Sequence, residues 1–346
     1  MMQGHPSVAV FPAVLAVAES VGATGKDALT AFIAGYEAAC MVGSLVNPSH
    51  YARGFHATGT VGAIGAAVSA GLLLQLDEEK IVSAIGLAAT QSAGLKAMFG
   101  SMAKPFHAGK AAANGVLSAK LAARGFIAQP YALEDVQGFI CTQSSEPVRP
   151  LPAVAPGTEI VNTLFKYHAA CYCTHSTLDC LNHLRQKHAL TPDDVASIDI
   201  HIAPIHLKTA NIVDPESGLE SKFSVPHAAA LALHQLDSSA LATFSNEVAL
   251  DPVLAATRHR VTVHGDMPPG SAVRMLVRST KGDIFEGEHN TGIVETDLAA
   301  QGDRLASKFR SLATPILGAE RAERLLAGTL KLDQATSMVE VAQLVH

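Results

Sequence analysis

Lysine, histidine and cysteine side chains are concentrated in residues 166–183, which read KYHAACYCTHSTLDCLNH. A zinc site needs converging thiolates and imidazoles, usually from two separated pairs such as C-x2-C. Here Cys171 and Cys173 are one residue apart, no second pair completes a site, and on a predicted helix their side chains point about 200° apart. We therefore predict neither a metal site nor a disulfide, and expect the first turn of the helix to present Lys166, Cys171 and His175 to a pocket.

A second candidate lies in residues 100–112, GSMAKPFHAGKAA. Gly100 and Pro105 indicate a loop, and a lysine held in such a loop can bind a carboxylate, so Lys104 is a candidate ligand-binding residue. His107 is predicted at the N-cap of the next helix, where a structural role is favoured over a functional one.

Two more histidines precede predicted helices. His56 stands before a Gly/Thr-rich helix start in YARGFHATGTVG, where backbone N–H groups could bind an anion, although spacing alone favours a capping or surface role. His5, in GHPS, is so close to the first residue that disorder is its ordinary interpretation. Together these lysines and histidines form the set expected to bind a small di- or tricarboxylate and to move protons next to its carboxylates.

Composition limits the class of protein. The chain has 346 residues, of which 48% are hydrophobic and 16% charged, and it contains no Trp, so we expect two globular domains rich in closely packed small-residue helices. A net charge of −6 argues against nucleic acid as a partner. Five cysteines, an odd number, and no signal peptide predict free thiols and a cytoplasmic location. The apolar run 54–76 is long enough for a membrane span, but its Gly/Ala/Ser/Thr content favours a buried helix.

Periodicity predicts an α-helical first half and an α/β segment after it. Predicted helices begin at His5–Ser7 and cover 26–45, 59–76, 78–94 and 107–124. A Pro-rich stretch, 146–159, is interpreted as a domain crossing. Beyond it we predict the helix with the cysteines, another helix in 221–236, strands in 195–207, 259–265 and 271–280, and helix from Glu295 onward. A predicted turn at Lys281–Asp283 joins the last of these strands to the segment KGDIFEGEHN. The predicted fold is mainly α: a large helical domain formed by 1–155 and 290–346, with an inserted, smaller α/β domain at 156–289.

Four motifs in this order resemble the MmgE/PrpD family: GHPSVAVFPAVLAVAE, RGFHATGTVGAIGAA, GSMAKPFHAGKAAANGVLSAKLAARGF and FKYHAACYCTHSTLD. LTPDDVASIDIHI, LESKFSVPHAAALAL and TDLAAQGDRLASKF also fit, so the resemblance covers nearly the whole chain. The family includes 2-methylcitrate dehydratase, cis-aconitate decarboxylase and iminodisuccinate epimerase, so the motifs do not define one substrate.

The resemblance implies a helical domain with an α/β lid domain, a homodimer, and chemistry that needs neither metal nor cofactor. It also implies that His5, His56 and Lys104 line the pocket and that Lys166 reaches it from the lid domain. In the decarboxylase branch a histidine stands where this chain has Cys171, and a tyrosine where it has Thr209. Both departures argue against cis-aconitate decarboxylation.

The resemblance also leads us to expect a further helical segment before the GHPS motif, so a truncated, inactive family member is one alternative. The leading hypothesis is a hydro-lyase that dehydrates a 2-methylcitrate-like hydroxy-polycarboxylate, with His5, His56, Lys104 and Lys166 as catalytic residues. Substrate-binding residues would be Cys171, His175, His107 and Thr209. An epimerase of a small dicarboxylate is the other alternative, and the sequence does not assign which histidine is acid and which is base.

Overall fold

The chain divides into two compact units, which are described separately. The computed structural model describes residues 2–150, 155 and 157–344. Unit 1 comprises residues up to Thr163 together with Glu323 onward, and unit 2 comprises Leu164–Ala322. Residues 290–322 therefore group with unit 2, whereas the sequence analysis assigns them to the helical domain; those domain bounds stay a prediction. Part of the predicted crossing, residues 151–154 and 156, lies outside the described residues.

Unit 1 is helical throughout its described part. Its helices are α1 Pro6–Val21, α2 Gly25–Val46, α3 Ser49–Ala52, α4 Ala57–Leu73, α5 Glu78–Thr90, α6 Ala103–Ala123, α7 Phe139–Gln143 and α16 Met338–Gln343, with 3-10 turns at Lys96–Met98, Ile160–Asn162 and Leu332–Gln334. The helix α15, Ala319–Thr329, crosses the division between the units.

Helix α4 is the centre of unit 1. It packs against α1, α2, α5 and α6, and nearly all of its side chains are buried. The packing is close because small residues face each other: a Cβ added to Gly115 of α6 would lie 2.4 Å from Ala66 Cβ and 2.6 Å from the Ala67 backbone nitrogen. The apolar run 54–76 thus forms a 17-residue core helix, as the buried-helix interpretation predicts.

Helix α2 is the one helix among the described residues that is long and apolar enough to cross a membrane by length and composition. Its most apolar window is 56% buried inside the protein, and a buried core helix passes the same test. In unit 1, Ser69 of α4 donates a 2.8 Å hydrogen bond to the Ala31 carbonyl of α2, which shows how closely the two helices pack.

Unit 2 combines a four-stranded sheet with helices. The strands are β1 Val195–His201, β2 Val261–His264, β3 Ala272–Ser279 and β4 Ile284–Asn290, in the order β2-β1-β3-β4. The β1–β2 pair is parallel, and β1–β3 and β3–β4 are antiparallel. The helices are α8 His175–His188, α9 Pro204–Ala210, α10 Gly218–Ser221, α11 Val225–Leu233, α12 Asn246–Ala249, α13 Pro252–Arg258 and α14 Leu298–Leu317, with 3-10 turns at Tyr172–Thr174, Pro192–Asp194 and Ala242–Phe244.

One face of the sheet carries the core of unit 2. Val273, Met275 and Val277 alternate along β3 toward this face and are buried, as the alternating pattern predicts. Helix α8 packs against β3 and β4 on it, with Leu184 against Gly287. The predicted fold class, mainly α with a smaller α/β part, is confirmed.

Two local predictions are wrong. His107 is not an N-cap: α6 begins at Ala103, its N-cap is Met102, and His107 and Lys104 both lie inside the helix. Pro105 does not prevent this, because proline is tolerated in the first turn, where its missing N–H has no helical partner to lose. The lysine is therefore held by helical backbone and not by a loop.

The cysteine pair is also misplaced in the sequence analysis. Cys171 and Cys173 do not lie on the long helix, because α8 begins at His175 and a 3-10 turn, Tyr172–Thr174, precedes it. The helical argument for separating the two thiols therefore does not apply, although neither these two nor the other three cysteines form a disulfide.

The contact between α4 and α6 gives a stability prediction. Gly115→Ala forces a methyl group against backbone atoms of α4, and overpacking of this kind costs about 2 kcal/mol in the free energy of unfolding. Gly109→Ala, on the same helix, meets nothing within 4 Å and should gain up to about 1 kcal/mol from helix propensity. Urea unfolding of both variants measures the difference, and equal effects would contradict the packing argument.

Candidate functional site

The first turn of α4 holds the candidate site of unit 1. His56 is its N-cap residue, with extended backbone, and its imidazole is buried. The His56 backbone N–H donates a 3.0 Å hydrogen bond to the Gly94 carbonyl, which fixes the loop after α5 against the helix start. Gly94 has φ +153°, and a Cβ there would lie 3.4 Å from both His56 Cβ and His107 Nδ1. These are ordinary van der Waals distances, so it is the positive φ, and not a lack of space, that favours glycine where the two histidines meet.

The two imidazoles are hydrogen-bonded to each other. His56 Nδ1 lies 3.0 Å from His107 Nδ1, and the ring centroids are 5.3 Å apart. Burial, with smaller contributions from the Lys104 charge and from His107, lowers the pKa of His56 to about 3. Burial also lowers the pKa of His107. Both rings are therefore neutral at pH 7.

A neutral pair joined in this way has a defined distribution of protons. One proton lies between the two Nδ1 atoms, so one ring donates and the other accepts. The donating ring has an unprotonated Nε2, which is a base, and the accepting ring carries its proton on Nε2, which is an acid. The His56–His107 pair thus supplies one proton donor and one proton acceptor in either arrangement.

Lys104 adds a positive charge beside this pair. Its Nζ lies 4.6 Å from the centroid of the Phe99 ring, and Phe99 packs edge-on against His56 at 5.0 Å. The lysine charge also disfavours protonation of His56, which places it within electrostatic range of the imidazole. A carboxylate bound by Lys104 would therefore lie near the histidine pair.

His5 is ordered next to the same helix start. Its backbone N–H donates a 3.0 Å hydrogen bond to Thr58 Oγ1, in the first turn of α4. The expectation of a disordered N-terminal histidine is wrong, because α1 begins at Pro6 and packs along α4. The structure thus gathers His5, His56, His107 and Lys104 around one helix end.

The candidate residues of unit 2 lie before and at the start of α8. His175, the first residue of α8, is fully buried, and neither ring nitrogen has a hydrogen-bond partner among the described residues. Burial lowers its pKa well below the usual value, and the charges of His168, Lys166 and Lys308 lower it further. His175 is thus a neutral imidazole within range of two lysines.

Cys171 and Thr209 belong to neighbouring segments of unit 2. The Cys171 thiol is buried, and its backbone N–H donates to the Lys222 carbonyl at 2.9 Å. Helix α9, which carries Thr209, packs against the 3-10 turn that follows Cys171. The Thr209 hydroxyl donates to the Ile205 carbonyl of its own helix at 2.9 Å, so an oxygen lone pair remains as its possible contact to a ligand.

Several residues of this region make contacts with the candidate histidines, although nothing in the sequence marks them as site residues. His168, two residues after Lys166, accepts or donates a 2.7 Å hydrogen bond with Ser238 Oγ, and its other nitrogen lies 3.3 Å from Asp179 Oδ1. Its ring packs edge-on against His175 at 4.8 Å. Asp179 is the partner of His168 from eleven residues away, a spacing that no local pattern in the sequence indicates.

Metal binding has no geometric candidate in the described ranges. Across residues 2–150, 155 and 157–344, no three His, Cys, Asp or Glu side chains are arranged to hold a metal ion. The roles that the sequence predicts for the site residues stay predictions.

Relatives with similar sequences include two fungal proteins and one human protein. A cis-aconitate decarboxylase of Aspergillus terreus is 24% identical over 374 residues, which cover 99% of this chain and 76% of that protein. A cis-aconitate decarboxylase-like protein of Aspergillus oryzae is 25% identical over 380 residues, with 99% and 77% covered. The human cis-aconitate decarboxylase is 30% identical over 205 residues, with 55% and 42% covered.

Family models match both parts of the chain. The MmgE/PrpD N-terminal domain matches residues 2–149, which include His5, His56, Lys104 and His107. The MmgE/PrpD C-terminal domain matches residues 168–334, which include the remaining candidates except Lys166. Decarboxylases are lyases, so relatives of this chain support an enzyme of the lyase class at the family level. The resemblance seen in the motifs is thus confirmed, and the chain belongs to the MmgE/PrpD family.

Proposed function

We propose that the protein is a lyase that dehydrates a 2-methylcitrate-like hydroxy-polycarboxylate without a metal. The observation that carries this proposal is the 3.0 Å hydrogen bond between His56 Nδ1 and His107 Nδ1, beside Lys104. Elimination of water needs a base for one proton and an acid for the leaving hydroxyl, and this pair supplies both at neutral pH.

The reaction follows from these groups. The unprotonated Nε2 removes the proton from the carbon next to a carboxylate, and the electron pair of that C–H bond forms the C=C bond. The C–O bond of the hydroxyl breaks, and the proton on the other Nε2 joins the leaving oxygen to give water. The proton between the two Nδ1 atoms moves to the ring that has lost its Nε2 proton, so both imidazoles end neutral. Lys104 binds a carboxylate and stabilises the negative charge that develops on it, and Lys166 of unit 2 is the second carboxylate-binding lysine that the resemblance implies. His5 is the further imidazole available for proton transfer.

Decarboxylation is the second candidate, because several relatives are named cis-aconitate decarboxylases. It needs an unsaturated tricarboxylate, loss of CO2 and protonation of carbon. The departures at Cys171 and Thr209 favour dehydration over this reaction. An epimerase would use the same base and acid on opposite faces of one carbon, with no leaving group.

The substrate and reaction can be tested together in deuterated water. We expect 2-methylcitrate or a related hydroxy-polycarboxylate to give an unsaturated product, detected by NMR. Release of CO2 from cis-aconitate would identify decarboxylation, and deuterium entering recovered substrate without any unsaturated product would identify epimerisation. If no polycarboxylate reacts in any of these ways, the proposal is wrong.

Lys104→Ala should lower kcat/KM about 100-fold or more, because it removes a charge that stabilises the transition state. Lys110→Ala is the matched control: it lies on the same helix, is exposed, and should change kcat/KM less than about twofold. Steady-state kinetics on the substrate identified above measures both. Equal losses in the two variants would show that general charge, not the position of Lys104, matters.

The buried His56 gives a pH prediction. Its pKa is about 3 in the folded protein and near 6.5 when unfolded, so below pH 6.5 the unfolded state binds a proton that the folded state does not. Its contribution is fully present above pH 6.5 and falls by about 1.4 kcal/mol per pH unit until about pH 3. Between pH 7.5 and 5.5 the free energy of unfolding should therefore fall by about 1.4 kcal/mol more in the wild type than in His56→Gln. Parallel changes in urea unfolding would contradict the assignment of a neutral buried ring.

We also propose that the protein is a homodimer in the cytoplasm. In support, α6 carries the exposed apolar side chains of Met102, Phe106 and Leu117. Light scattering should give twice the mass of the chain, and Leu117→Asp should raise the monomer fraction. Lys120→Asp, an exposed control on the same helix, should leave the mass unchanged. A monomeric wild type would contradict the proposal.

A further inference from the structure

The segment that carries Lys166 has no regular secondary structure. Residues 163–167 form neither helix nor strand, and the next 3-10 turn begins at Tyr172. A helix or strand would fix the direction of a lysine side chain through repeated backbone hydrogen bonds, and that support is missing here. The position of Lys166 therefore depends on contacts made by side chains from elsewhere in unit 2.

Helix α14 supplies these contacts to three consecutive residues. Lys308 Nζ donates hydrogen bonds to the carbonyl of Lys166 and, at 3.4 Å, to the carbonyl of His168. The guanidinium of Arg304 lies 3.7 Å from the centroid of the Tyr167 ring. Arg304 and Lys308 are four residues apart, so they lie on one face of the helix and contact the segment together.

Asp179 of α8 contacts both Arg304 of α14 and His168 of the irregular segment. It accepts hydrogen bonds from Arg304 Nη2 at 3.2 and 3.4 Å, and its Oδ1 lies 3.3 Å from His168 Nε2. Because Ser238 binds the other nitrogen of the His168 ring, the orientation of that imidazole is fixed at both ends. His289 also approaches the carboxylate, at 3.5 Å.

The contacts of α14 with this segment are polar. None of its side chains is buried, although it is 20 residues long. The contact face is itself partly open, because Asp179 and Arg304 line a cleft of about 590 Å3. A helix attached in this way is not needed for the core of unit 2, which lies between the sheet, α8 and α11. The lysine, arginine and aspartate therefore have a task other than core packing.

We propose that Arg304 and Lys308 are positioning residues, which hold the irregular segment 166–168 so that Lys166 is presented to the carboxylate of the substrate. The inference rests on the proposed function, since it takes Lys166 as a substrate-binding residue. It assigns a role in substrate binding to two residues of α14 that neither touch the substrate nor belong to the predicted site. Asp179 supports them by fixing Arg304 and His168.

The first test needs no substrate. Hydrogen exchange of peptides that cover residues 164–171 is compared in the wild type, Arg304→Gln and Lys308→Met. Both variants should exchange roughly tenfold faster in this segment, while β3 stays protected. Arg278→Gln is the matched control, because Arg278 is an exposed arginine of unit 2 and loses the same charge. Unchanged exchange in Arg304→Gln and Lys308→Met would overturn the proposal.

The second test separates positioning from a purely structural role. Binding of citrate is measured by calorimetry, and KM and kcat are measured on the substrate identified above. In Arg304→Gln and Lys308→Met, Kd and KM should rise roughly tenfold or more, because a misplaced lysine loses its carboxylate contact. Lys308→Arg should restore most of the affinity, since its guanidinium can still donate to the two carbonyls.

The two proposals fail in different ways. If the wild type binds citrate but turns over no polycarboxylate, the proposed reaction is wrong, and weaker binding in the variants still supports the positioning role. If the segment loosens but Kd and KM stay at the wild-type values, the positioning role is overturned. A wild type that binds no polycarboxylate would overturn both.

Discussion

The close approach of α4 and α6 is the contact on which the candidate site of unit 1 depends. Ala66 and Ala67 of α4 face Gly115 of α6 at distances that leave no room for a further methyl group. The axes of packed helices lie 8–10 Å apart, depending on the side chains at the contact. Small residues place two helices at the short end of that range. His56 stands at the start of α4 and His107 in the second turn of α6. The 3.0 Å bond between their rings therefore requires the glycine and alanine contact that brings the two helices together.

Burial determines the charge of the candidate histidines. An imidazole in a packed helical interior loses its hydration, and nearby lysines add repulsion, so His56 in unit 1 and His175 in unit 2 both have lowered pKa values. A neutral imidazole with a lowered pKa is a weak base and a weak acid. The proton transfers proposed for the His56–His107 pair therefore depend on the charge of Lys104, which would stabilise the negative charge that forms when the base takes its proton. Lys104 lowers the pKa of His56 and would stabilise the product of its action.

The sequence predicts those parts of the structure that follow from local patterns. The small-residue helices and the strands β1, β2 and β3 can be recognised from periodicity and helix starts, and the motifs make His56 and Lys104 candidate site residues. The pairing of His56 with His107 cannot, because the residues are 51 positions apart and their contact follows from helix packing. The start of α6 is misjudged because Pro105 signals a loop and a first helical turn equally well.

Irregular backbone is the second feature that local sequence patterns do not predict. The cysteine-rich segment has a composition that suggests a helix, yet it stays irregular up to Tyr172 because tertiary contacts hold it: the Ala169 N–H donates to the Ser238 carbonyl and the Cys171 N–H to the Lys222 carbonyl. Contacts from α14, more than 130 residues away, are equally invisible to a local pattern.

The choice between dehydration and decarboxylation depends on which bond the site can help to break. Both reactions place negative charge next to a carboxylate, so the lysines serve either one. Loss of CO2 needs no proton on a leaving group, and one proton donor to carbon is enough. Loss of hydroxide needs a second, simultaneous proton transfer to oxygen, because hydroxide is a poor leaving group at neutral pH. A hydrogen-bonded pair of neutral imidazoles, with one Nε2 protonated and the other not, provides both transfers within one unit. The histidine that the resemblance places in the decarboxylase branch is Cys171 here, a buried residue that cannot supply an imidazole. The pair thus fits elimination of water better than loss of CO2.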